Sequence, residues 1–177
     1  ALSTGMRQGE LLAIRWQDVD LDSATLQVKA TLRRTREGLT FGEPKTARSR
    51  RQVQLTPTAV TALRAHRARQ IEERLRCPYW QDAELVFATE AGTPVERQNM
   101  MMRSFFPLLE RAGLPRIRFH DLRHTAATLL LGQNVNVKVV SEMLGHSQIA
   151  ITLDLYSHVT PGMQRQAVDA LEAVLGA

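Results

Sequence analysis

The spacing of apolar positions changes several times along the chain, and each change predicts an element. Leu11, Leu12 and Ile14 recur at helical spacing after Thr4-Gly5-Met6-Arg7-Gln8-Gly9-Glu10, so a loop enters a short helix that stops near Trp16. Asp18, Asp20 and Asp22 mark turns. From Thr25 to Leu32 the pattern alternates with period two, as in a strand with one buried face. Glu37-Gly38 is a hairpin signal, 39–43 a short second strand, and Gln52-Val53-Gln54-Leu55 a third. The polar, basic run Pro44-Lys45-Thr46-Ala47-Arg48-Ser49-Arg50-Arg51 lies between the last two. These signals predict a small three-stranded antiparallel sheet near the N-terminus, with Lys45 on its second turn.

Helical spacing then takes over. Thr56-Pro57 opens a long helix, with proline at the first helical position, where its missing N–H costs nothing. Val60, Leu63, Ile71 and Leu75 mark its apolar side, and Cys77-Pro78 ends it. Leu85-Val86-Phe87-Ala88 reads as a short extended segment, followed by the turn Ala91-Gly92-Thr93-Pro94. Helices are predicted over 96–111, 120–132, 137–144 and 161–175. No repeat, low-complexity tract or linker interrupts the pattern. The fold class is therefore α+β and mainly helical, in one domain whose 177 residues suffice for a sizeable core. No apolar run is long enough to cross a bilayer.

Charge adds a partner class. The net charge is +5 and the pI about 10.1, and only Lys29, Lys45 and Lys138 among the 23 basic residues are lysines. Arginine forks match phosphate oxygens, so the surplus suits a polyanionic partner; a GC-rich or thermophilic genome bias gives the same excess. A single cysteine, Cys77, excludes an internal disulfide framework and fits a reducing, cytoplasmic compartment.

Several polar groups could carry chemistry. Arg7 sits near a helix start with Glu10 three residues on, either bracing it or forming an ordinary surface pair. Lys45 could reach into a ligand from its turn, or be a solvated loop residue. His120 and Arg123, three apart on one helix face, could act together on a phosphate, the guanidinium clamping two oxygens and the imidazole taking a proton. A metal reading of His120 and His124 lacks a third ligand, and the intervening Asp121, Leu122 and Arg123 do not suit it: an arginine one turn away repels a cation. Packing is the better account of His124. His146 follows a glycine helix stop at Gly145. Tyr156, ten residues later, needs a cationic neighbourhood and a base to become a nucleophile; otherwise it is a half-buried helix tyrosine. Neither a phosphate-binding glycine loop, a serine nucleophile elbow nor an acidic two-metal cluster is present in the sequence.

Taken as a set, Thr4-Gly5-Met6-Arg7-x-x-Glu10-Leu11-Leu12, Lys45, His120-x-x-Arg123-His124-Thr125, Leu144-Gly145-His146 and Tyr156 resemble the tyrosine recombinase (phage integrase) family, in order and in spacing, over essentially the whole chain. The resemblance implies an integrase-type catalytic domain over 1–177, with an N-terminal core-binding domain and a first catalytic-domain helix lying outside this stretch. It implies that Tyr156 attacks a DNA phosphorus to give a 3′-phosphotyrosyl link and a free 5′-hydroxyl. Arg7 and Arg123 would hold the non-bridging oxygens, Lys45 protonate the departing oxygen, His120 assist deprotonation of Tyr156, and His146 hydrogen-bond the phosphate. Glu10 would support Arg7 from behind. Neither metal, ATP nor another cofactor is implied. The partners would be double-stranded DNA on the nucleoid and further protomers in a tetramer, with no membrane. Arg48, Arg50, Arg51 and Arg118 are expected to contact DNA. Met163, Ala167, Leu171, Val174 and Leu175 form an apolar stripe that would dock on a neighbouring protomer or on its own domain. Two alternatives remain at this point: a DNA-binding module with vestigial catalysis, and a type IB topoisomerase-like strand relaxer.

Overall fold

The computed structural model describes residues 1–43, 49–157 and 163–175; for residues 155–157, 163–167 and Ala170 only the backbone is described. Helix α1 (Gln8–Leu11) is a single turn, followed by a 3-10 turn (Trp16–Asp18). Strands β1 (Val19–Asp20), β2 (Thr25–Val28), β3 (Thr31–Thr35), β4 (Gly38–Gly42) and β5 (Arg51–Gln54) come next. Helix α2 (Pro57–Arg76) is capped by the Thr56 side chain, which accepts from the Ala59 N–H. Helices α3 (Arg97–Met100) and α4 (Phe106–Arg111) are joined by a π-helical turn (Met101–Phe105). The remaining helices are α5 (Phe119–Gly132), α6 (Val137–Leu144), α7 (Ala150–Ser157) and α8 (Met163–Leu175).

The α+β class and the three-stranded antiparallel sheet are present, but the sheet is assembled differently from the sequence expectation. Its order is β1-β2-β5, and β3 pairs only with β4 in a separate hairpin. The alternating run from Thr25 to Leu32 is thus two strands. Leu26, Val28 and Leu32 all stay buried, so the period survives while the ladder partner changes at Lys29 and Ala30. Periodicity reports which face is buried and says nothing of which strand lies alongside.

Helix α7 is a second difference. Ile149, Ile151 and Thr152 are β-branched and weak helix formers, and the segment carries no amphipathic stripe. Packing against α5 and α6 holds it helical, with Thr152 fully buried.

Two main apolar clusters organise the molecule. Met6, Ile14, Leu26, Val28, Val53, Leu55 and Val86 form one between the sheet and α2. Ala127, Leu131, Val140 and Leu144 form the other between α5 and α6. Each fully buried aliphatic side chain contributes about 1.5–3 kcal/mol. The clusters meet at Gly5. Its φ is +60°, and a Cβ there would lie 2.4 Å from Leu144 Cδ2, so glycine is required for both conformation and approach. On α8, Val168, Leu171, Val174 and Leu175 are exposed.

Candidate active site

The seam between the two clusters carries most of the polar residues singled out from the sequence. Arg7 ends the loop into α1. Glu10 folds back on it, accepting the Arg7 backbone N–H through Oε2 (3.0 Å) and Arg7 Nη1 through Oε1 (2.8 Å). The second terminal nitrogen of Arg7 crosses the seam to the carbonyl of Gly145 at 3.2 Å. Glu10 is 3% exposed, so its charge is compensated entirely by neighbours.

From the other side, α5 projects Arg123 into the seam. This guanidinium is 3% exposed. Its Nη1 donates to the Gly5 carbonyl at 2.6 Å, while Nη2 is buried without a hydrogen-bond partner among the described residues. Burial first, and then the charges of Arg7 and Arg51, push Arg123 down to about 9 against the opposing pull of Glu10; it stays cationic at neutral pH.

Gly145 closes α6 in the left-handed conformation (φ 68°, ψ 45°) and turns His146 back toward the cluster. His146 Nδ1 lies 2.7 Å from the Thr152 hydroxyl of α7. Burial, and then the positive charges of Arg123 and Arg7, with smaller contributions from His124 and Arg51, lower His146 to about 4. It is therefore neutral at physiological pH.

His120 sits in the first turn of α5, one turn before Arg123. Its ring meets the edge of His124, with centroids 4.7 Å apart and planes at 84°. Burial, then His124, Arg123 and Arg7, lower its pKa; Asp121 opposes them weakly, being engaged with Arg118. His124 thus packs on His120, as its sequence context suggested. No group of three or more potential metal ligands exists among the described residues.

Two cavities open onto the cluster. One, of about 850 Å³, is lined by Arg7, Leu12, Arg33, Arg97, Met101 and His120 among others. The other, of about 520 Å³, is lined by Arg51, Lys138, Ser141, Glu142, Gly145, His146 and Ile149.

Arg51 departs most from expectation. Instead of facing outward for DNA, its side chain is 7% exposed. Its Nη2 donates to Glu10 Oε2 (3.0 Å), Nε to the Met143 carbonyl (2.7 Å) and Nη1 to the Ser49 carbonyl (3.2 Å). The signal was present in the strand period: Arg51 shares the phase of Val53 and Leu55, which are buried, so it points inward with them. Arg50, in the opposite phase, is exposed and pairs with Glu43. Arg118 is also exposed, yet it caps α5 by pairing with Asp121 at 2.9 Å. Thr152 and the Gly145 carbonyl carried no sequence signal of a role here. Lys45 and Arg48 lie outside the described residues. Tyr156 lies in α7, and its side chain is not among those described.

Residues 1–163 match the family model described as "Phage integrase family". The chain belongs to the phage integrase family. Among integrase-family relatives, a "Tyrosine recombinase XerC-like" protein of Caldanaerobacter subterraneus subsp. tengcongensis is 39% identical over 97% of this chain and 47% of that protein. The integrase of Staphylococcus phage L54a is 29% identical over 97% of this chain and 49% of that protein. The chain thus spans about half the length of the curated relatives it matches. Among solved structures, the Tn1549 transposon integrase in complex with a circular intermediate DNA aligns with a TM-score of 0.79 at 26% identity, over 96% of this chain and 56% of that one. XerA recombinase shares the fold, with a TM-score of 0.68 at 24% identity.

Proposed function

We propose that this integrase-family chain is the catalytic domain of a site-specific DNA recombinase, cutting and rejoining DNA through a 3′-phosphotyrosyl intermediate without metal or ATP. The observation that carries the reading is the charge balance of the seam. Two guanidiniums, Arg7 and Arg51, share the carboxylate of Glu10, while a third, Arg123, lies close to both with no ion pair among the described residues and with one buried nitrogen that has no hydrogen-bond partner there. Such a cluster is stabilised by an anion, and a phosphodiester supplies two non-bridging oxygens in fork geometry. Relatives named as recombinases and integrases, one of them solved in complex with DNA, support the same substrate class.

In this mechanism Arg7 and Arg123 hold the non-bridging oxygens and stabilise the charge that grows on them in the pentavalent transition state. His146 is neutral. With Nδ1 accepting from the Thr152 hydroxyl, its Nε2–H donates to the same phosphate. His120, also held neutral, accepts the Tyr156 proton directly or through water as the phenolate oxygen bonds to phosphorus. The bond to the 5′-oxygen breaks and Lys45 protonates that oxygen. The phosphodiester energy stays in the tyrosyl link, so attack by another strand's 5′-hydroxyl reverses the step and completes exchange.

The protein would work in the cytoplasm, on the nucleoid, as part of a tetramer on double-stranded DNA. The exposed apolar residues of α8 suit docking on a neighbouring protomer. Incubation with nicked, site-bearing duplex in the presence of chelator tests the reading: an adduct that resists denaturation is expected, and Tyr156→Phe abolishes it. No adduct with any site-bearing duplex would contradict catalysis and leave a binding module. An adduct that survives the substitution would remove Tyr156 from its role.

A further inference from the structure

We infer that Arg51 is a positioning residue for the phosphate clamp, and that it acts through Glu10 and through the C-terminal turn of α6 without touching DNA. The inference rests on the phosphoryl-transfer reading of the seam. Glu10 Oε2 accepts from both Arg51 Nη2 and the Arg7 backbone, while Oε1 takes Arg7 Nη1. Without Arg51, the carboxylate would be shared with Arg7 alone and would cancel most of the charge that Arg7 offers to a phosphate. With Arg51 in place, Glu10 orients Arg7 and leaves the cluster net cationic.

The second arm of Arg51 is geometric. Its Nε holds the Met143 carbonyl at 2.7 Å, and Arg7 Nη2 holds the Gly145 carbonyl at 3.2 Å. Two arginines from the sheet side therefore grip consecutive parts of the turn that presents His146. Arg51 lies on β5, so it couples the sheet to α1 and α6 at once. A planar guanidinium can satisfy three acceptors in different directions, and an ammonium on a flexible stem cannot hold the same arrangement. Its phase on β5, shared with buried Val53 and Leu55, turns its side chain inward and leaves it 7% exposed.

The test separates chemistry from binding in Arg51→Ala and Arg51→Lys, each checked for folding by thermal melting. Single-turnover cleavage of a nicked duplex should fall roughly 100-fold in Arg51→Ala and about tenfold in Arg51→Lys, while the DNA Kd moves less than about twofold. In the free protein without DNA, the His146 imidazole should titrate at a higher pH in Arg51→Ala than in wild type. If Arg51→Ala does not fold, Arg51→Lys carries the test alone. Cleavage at the wild-type rate in the folded variants would overturn the inference. Equal losses in Kd and cleavage, with His146 unmoved, would also overturn it by making Arg51 a DNA contact. Failure of the wild type to form any adduct would instead overturn the recombinase reading.

Discussion

The two sides of the seam contribute unlike things. The sheet side supplies Arg7, Glu10 and Arg51, a group whose donors and acceptors are satisfied by one another and by the backbone. The helix side supplies His120, Arg123 and His146, which are desolvated and less fully paired: one nitrogen of Arg123 has no partner among the described residues, and both imidazoles are held neutral. On the sheet side, Glu10 and Arg51 brace Arg7 in a fixed position. On the helix side, the donors and acceptors are left with a partner still to find, which in the proposed mechanism is the phosphate that Arg7 also meets. Preorganisation of this kind places the reorganisation cost in folding, so that little is left for the transition state.

Breaking the helix side should cost most in chemistry. Arg123→Ala is expected to slow cleavage by about 10²–10³ while the protein stays folded, read by single-turnover assays beside a melting curve. Breaking the sheet side should cost most in stability. Glu10→Gln leaves the guanidiniums of Arg7 and Arg51 without their shared carboxylate and should destabilise by about 3–5 kcal/mol in urea titration. If both substitutions damaged stability alone, the two sides would not differ as described.

Acid sharpens the contrast. His146 is at about 4 in the folded protein, below the ordinary histidine value of 6.5. Above pH 6.5 it is neutral in both states and contributes no pH dependence. As the pH falls from 6.5 toward 4, the unfolded chain binds the proton first, and stability should drop by up to roughly 3 kcal/mol before levelling off. His120, also lowered, adds in the same direction. Glu10 behaves differently in window. Burial alone would raise it, but Arg51 and Arg7 outweigh that and lower it, so its contribution is intact above pH 4.5 and is lost only as the pH falls further. Equilibrium unfolding across pH 3–8, repeated with His146→Asn, should therefore show a smaller upper part of the acid limb, with the His120 share and the lower part kept.

The smallest effect is expected at Arg118. It caps α5 from the surface and pairs with Asp121, so Arg118→Ala should leave cleavage at its wild-type rate. Measured DNA affinity would lose at most about one unit of its log-salt slope.

Much of this architecture was legible in the sequence, for reasons that particular residues make plain. Arg7, His120 and His146 stand at helix starts and stops, and Arg123 one turn inside α5 on the face of His120, where local spacing reveals position. Arg51 sits differently from the outward position expected of a basic surface residue because phase outweighs charge: on β5 an arginine in register with Val53 and Leu55 points inward, where Glu10 becomes its partner. The split of Thr25–Leu32 into β2 and β3 depends on which strand lies alongside, a non-local choice that no local period encodes. Helix α7 opposes its own propensity and exists through packing on α5 and α6. Thr152 could be tied to His146 only once that packing was known.

In the proposed mechanism the unpartnered nitrogen of Arg123 takes a phosphate oxygen. The most direct measurement replaces the scissile phosphate with a neutral methylphosphonate, which removes one non-bridging charge. Arg123→Ala, shown to be folded, should cleave the phosphate substrate at least about 100-fold more slowly than wild type and should recover most of that loss on the methylphosphonate. Equal impairment of the folded variant on both substrates would contradict the assignment of Arg123 to the phosphate and leave it as a strut for the Gly5 loop.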